Sequence, residues 1–85
     1  MGMGMVDLVC TLEEEFEITI PDEAATDMTT PRRVIDYIAS HPTVSKQWSR
    51  SYVEVTVWLA IENELAINKE DFNDDSRFIQ DMGAD

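Results

Sequence analysis

The sequence predicts an all-α fold: a small bundle of three main helices plus one short helix. Three observations point there. Apolar residues recur at helical spacing in three separate stretches, Thr30-Pro31 writes out a helix start, and no two segments alternate well enough to pair as strands. At 85 residues the chain is a single domain close to the lower limit for a self-supporting core. A chain of that size buries roughly 60% of the surface it exposes when unfolded. Its hydrophobic content of 44% is enough for that core.

The first helix is expected from about Met5 to Phe16. Met5, Leu8, Val9, Leu12 and Phe16 form one apolar stripe, and Asp7, Glu13, Glu14, Glu15 and Glu17 stay mostly off it. "ITIP" follows, with Ile18 and Ile20 on one side if extended and Pro21 closing it. "PDEAATDM" supports one or two helical turns, with Asp22 as N-cap. Thr30 as N-cap and Pro31 at the first helical position open the next helix, whose buried face is Val34, Ile35 and Ile38. "SHPTVSKQWSRS", from Ser40 to Ser51, carries the weakest pattern and reads as a linker in which Trp48 can pack. "YVEVTVWLAIENELAI" begins with strand-like alternation. However, Val57, Trp58, Ile61 and Leu65 repeat at helical spacing among strong helix formers, so a helix is expected over 52–67, ending at Asn68. The remainder reads as a long loop with one short turn.

Composition narrows the function classes. Eighteen acidic against six basic residues give a formal net charge of -12. Phosphate binding needs a basic patch, so nucleic acid and anionic membrane are disfavoured as partners, and basic-surfaced proteins are favoured. The single cysteine, Cys10, allows no internal disulfide and fits a reducing compartment; it reads as a partly buried packing thiol. No apolar run reaches membrane-spanning length, and "MGMGM" lacks the basic flank and long apolar core of a signal peptide, so a cytoplasmic location is expected. No catalytic constellation is present, and the chain reads as a non-enzyme. His41 is a lone linker histidine. "DFNDD" from Asp71 starts like a calcium loop, but Ser76 replaces the turn glycine and Met82 the closing glutamate, so no metal is expected.

Three segments resemble the acyl carrier proteins. "LEEEFEITIPDEAATDMTTPRRVIDYI", Leu12 to Ile38, is similar to that family's second half nearly residue for residue. "VWLAIENELAIN" resembles its first helix, and "DFNDDSRFIQDMGAD", Asp71 to Asp85, resembles the loop leading into its modification site. The order is reversed: 1–39 matches the family's second half, 52–85 its first half, and 40–51 joins the old termini. The resemblance thus implies a circularly permuted, acyl-carrier-like bundle. It also accounts for "RFIQDMGAD", which reads as the approach to another element rather than an exit from a fold. A ten-residue connection spans up to ~33 Å when extended, ample for termini that lie close together. A monomer is expected, with Met1 beside Asp85; a swapped dimer is the alternative.

What the resemblance implies for function is specific. The family carries acyl groups of fatty-acid and polyketide synthesis on 4'-phosphopantetheine, attached to a serine that follows "GAD" at a helix N-terminus, where free amides favour a phosphate. Here that serine position, between Asp85 and Met3, is taken by Gly2, which has no hydroxyl. No cofactor is therefore expected on this chain. The acidic helix implies docking to basic-surfaced enzymes of acyl-chain synthesis through Asp85, Asp7, Glu13 and Glu14, with one family acid replaced by Gly4. The implied acyl pocket is Leu12, Ile20, Ala25, Met28, Val34, Tyr37, Phe78 and Ile79, all equally readable as core. Two alternatives stand beside this reading: an engineered or split-derived permutant without carrier activity, and a calcium or regulatory interaction module. Ser76 reads as a loop hydroxyl.

Overall fold

A computed structural model describes residues 3–83. Those residues are helical and irregular, without strands: α1 Met3–Phe16, α2 Asp22–Asp27, α3 Pro31–Ser40, α4 Pro42–Ser45 and α5 Arg50–Leu65, followed by a 3₁₀ turn at Lys69–Asp71. The expected bundle of three long helices is present, and it carries two short helices rather than one. Central to the arrangement is α5, which packs against both α1 and α3.

The stripe on α1 is buried as its spacing requires, from Met5 to the fully enclosed Leu12 and Phe16. The helix ends because Glu17 turns left-handed, at φ 54. The Ile18 amide then donates back to the Glu13 carbonyl at 3.1 Å, the six-to-one bond of a Schellman ending. Ile18 and Ile20 both turn into the core. Asp22 is not the N-cap of α2 but its first helical residue. Pro21 occupies the cap and offers no side-chain acceptor, so Asp22 and Glu23 contribute only their charge to the first turn. In α3 the prediction holds in detail: the Thr30 hydroxyl accepts from the Arg33 amide at 3.3 Å, and Val34, Ile35 and Ile38 are buried.

The segment expected as a linker is built into the bundle. His41 is extended, its Nδ1 accepts from the Thr43 amide at 3.2 Å, and Pro42 takes the first position of α4. This turn drives Val44 fully into the core. Trp48 packs edge-on to Phe16 at 5.6 Å and stacks on Tyr52 at 5.8 Å. Ser49 then caps α5 by accepting from the Tyr52 amide at 3.2 Å, which starts the helix two residues earlier than periodicity suggests. The far end also differs. Ala66, not Asn68, adopts the left-handed conformation that stops α5.

The long segment after α5 is pinned rather than loose. Trp58 Nε1 donates to the Asp74 carboxylate at 2.7 Å, and the Lys69 ammonium lies 5.4 Å over the same indole. The Arg32 amide donates to the Asp74 carbonyl at 2.8 Å, and the Phe78 amide to the Thr29 carbonyl at 3.0 Å. Phe78 and Met82 are thereby seated in the core.

Candidate functional site

The residues singled out by sequence fall into three places. Ala25, Met28, Phe78 and Ile79 line one recess of about 260 Å³ at the head of α1, together with Met5, Thr26, Thr29 and Gln80. Leu12, Ile20 and Val34 do not reach it; they are core residues below. Tyr37, half-buried, borders a separate recess between α2 and α3 with Met28, Arg33 and Asp36. The proposed eight-residue pocket is thus four lining residues, three core residues and one outlier. Three features build the lined recess. The α2 turn presents Ala25 and Met28, the Phe78–Thr29 backbone bond lays the 77–82 turn alongside, and the apolar stripe of α1 ends there at Met5. Ile79, 54% exposed, forms its mouth. Met5 was legible as stripe; its place at the recess was not, because that depends on where the distant 77–82 turn docks.

The acidic residues also divide. Asp7 and Glu14 are exposed on α1. Glu13 is not free in the same way: its carboxylate accepts from the Ile20 amide at 2.8 Å and holds the "ITIP" segment against the helix. Asp85, Gly2, Met1 and the side chain of Met3 lie outside the described residues. Gly4, expected as a gap in an exposed acidic row, instead faces α5: a Cβ built there would stand 3.0 Å from Leu65 Cδ2. A side chain at this position would need the end of Leu65 to give by a few tenths of an ångström, so Gly4 eases the close approach of α1 and α5.

Other candidates resolve to structural work. Three of the five "DFNDD" side chains make hydrogen bonds within the protein. Asn73 Oδ1 accepts from the Asp75 amide, Asp74 holds Trp58, and Asp75 receives a two-pronged bond from Arg32 at 2.7 and 3.1 Å. Among the described residues no group of three His, Cys, Asp or Glu side chains is placed to hold a metal ion. Ser76 Oγ accepts from the Asn73 amide at 2.9 Å, a loop hydroxyl. The hydroxyls of Ser40 and Ser45 donate to carbonyls within their own turns. Cys10 is exposed rather than partly buried, one position to the side of the stripe.

Two carboxyls titrate below the usual aspartate range. Asp75 is lowered by its hydrogen bond from the Arg32 guanidinium and by that group's charge; Asp81 is lowered by the Arg77 backbone amide at 2.7 Å and then by the Arg77 side chain. Both pairs are exposed. No described helix is long and apolar enough to cross a membrane. No protein-family model matches the chain, and no solved structure matches it.

Proposed function

We propose that this protein is an acyl-carrier-like recognition domain with its two halves in reversed order, which docks basic-surfaced enzymes of acyl-chain synthesis without itself carrying an acyl group. The observation that supports it best is the junction at the head of α1. The 77–82 turn, from the segment similar to the family's pre-modification loop, shares one recess with Met5 of the acidic helix. In the family order those two segments are chain neighbours; here they are far apart in sequence and adjacent in space.

The exposed carboxylates of Asp7 and Glu14 supply a fixed negative edge for encounter with Arg or Lys side chains. Glu13 acts through position, holding Ile20 rather than meeting the partner. The lack of a hydroxyl at Gly2 makes the domain a docking surface and not a carrier.

The test is competition. With coenzyme A, Mg²⁺ and a phosphopantetheinyl transferase, this chain should gain no mass. It should nevertheless slow modification of an authentic acyl carrier protein by occupying the transferase. The double variant Asp7→Lys, Glu14→Lys should relieve that inhibition about tenfold or more, the loss of roughly 1.4 kcal/mol of docking energy. A chain that fails to compete at any concentration, or whose inhibition ignores the double variant, is not such a module.

A further inference from the structure

Helix α5 is apolar on two faces. Its inner face, Val53, Val57, Trp58, Ala60 and Ile61, is buried against α1 and α3. Its outer face continues the aromatic stack of Trp48 and Tyr52 into Val55 and Leu59, an i, i+4, i+7, i+11 progression at helical spacing. Tyr52 is 42% exposed, Val55 59% and Leu59 60%. Contiguous exposed apolar patches mark interaction sites. By contrast α3, of ordinary amphipathic pattern, turns Arg32, Arg33 and Asp36 to solvent.

This outer face is the floor of a groove. Tyr52, Val55 and Leu59 line it from α5 together with the polar Thr56 and Asn63 and the largely buried Ala60 at its base, and Thr11 and Glu15 wall it from α1, leaving a volume of about 430 Å³. Asp7 stands one turn before Thr11 in the same row as Glu15, since i and i+4 positions share a helix face. The Thr11 hydroxyl donates to Glu64 of α5 at 2.9 Å, tying the two helices together. None of the six Lys and Arg residues lines the groove. Its chemistry is therefore an apolar strip of Tyr52, Val55 and Leu59, interrupted by the neutral Thr56 and Asn63 and edged by the Glu15 carboxylate, with Asp7 further along α1.

We propose that the α1–α5 groove docks a basic amphipathic helix from a partner protein, whose apolar stripe covers Tyr52, Val55 and Leu59 while its flanking Lys or Arg side chains meet Glu15 and Asp7. Charge decides between this occupant and a second copy of the same chain. A copy would bring another -12 of formal charge and another Glu15 to the same strip, whereas a basic helix neutralises them. The groove-and-stripe match is the usual way an amphipathic helix is read, by anchors at i, i+3, i+4 and i+7. This proposal shares Asp7 with the acyl-carrier reading but rests on the α1–α5 groove and requires nothing of the recess at the head of α1, so either can fail without the other.

The experiment uses the full chain and three synthetic helices of about 18 residues, five turns at ~3.6 residues each. One carries a Leu stripe flanked by Lys, one the same stripe flanked by Glu, and one Lys flanks with Ser replacing the Leu stripe. Binding is followed by backbone amide shifts and by Trp48 fluorescence at physiological ionic strength. The Leu/Lys helix alone should bind, with shifts centred on Thr11, Glu15, Tyr52, Val55 and Leu59. Because Val55 and Leu59 are more than half exposed, the double variant Val55→Ser, Leu59→Ser should keep the parent melting temperature and weaken binding at least tenfold. Equal binding of the Ser/Lys or Leu/Glu helix, shifts centred elsewhere, or indifference to the double variant would overturn the proposal. So would concentration-dependent self-association that the double variant abolishes, which would assign the face to a second copy.

Discussion

Ala66 and Glu17 hold left-handed backbone without being glycine, at φ 53 and 54, and each closes a long helix. The left-handed region brings Cβ toward the following carbonyl oxygen at a cost of roughly 1–2 kcal/mol, which glycine avoids. Ala66→Gly should therefore stabilise the fold by up to about 1 kcal/mol, part of the gain being returned through the greater freedom of glycine in the unfolded chain. Urea denaturation measures it, and a loss of stability would mean α5 ends differently. Neither closing residue was legible, because sequence signals favour glycine or asparagine there and drew the end of α5 to Asn68. At Asp81 the effect is one of pH. Its folded pKa is lowered, so its contribution is present above the unfolded value of about 3.9 and disappears as pH falls through the folded one. The stability lead of the parent over Asp81→Asn should be constant near neutrality and shrink below about pH 4. A lead that grows with acid would contradict the Arg77 contacts.

Among the elements, the long helices and the short α2 were readable and α4 was not. A stripe such as Leu8, Leu12 and Phe16 repeats often enough to show its period, and Thr30-Pro31 announces α3 whatever the rest of the fold does. A four-residue helix has no period to show. The Ser40–Ser51 segment looked like a tether because its anchors, Val44 and Trp48, are single residues whose burial depends on α1 and α5 being in place. If α4 is a built part of the bundle, Val44→Ala should cost about 2 kcal/mol, the order expected for losing most of a fully buried valine. A tether would tolerate the change without effect, and thermal or urea unfolding distinguishes the two. The acidic face was legible as a row but not in its assignments. Glu13 holding Ile20, and Gly4 facing Leu65, are set by neighbours that no local pattern names.

Over the whole molecule, charge and segment order dominate. A formal charge of -12 is confined to a body of 33 × 26 × 18 Å, so like charges lie within a few Debye lengths of one another. Raising ionic strength from about 0.01 to 0.15 M shortens the Debye length from about 30 to 8 Å, and the melting temperature at pH 7 should rise accordingly. A fall would mean that the Arg32–Asp75, Arg50–Asp36 and Arg77–Asp81 pairs outweigh the net repulsion. The three-segment likeness to acyl carrier proteins came from sequence alone. The fold adds the packing of α5 on α1 and α3 and a recess shared by 77–82 and Met5, which bear on how those segments lie in space. The most direct measurement reconnects them. Residues 50–85 are placed ahead of residues 2–41 in one chain carrying Gly2→Ser and Met3→Leu, and mass is followed with coenzyme A, Mg²⁺ and a phosphopantetheinyl transferase. The account predicts a helical, cooperatively folding protein that gains one phosphopantetheine on the substituted position; a folded chain that stays unmodified would contradict it.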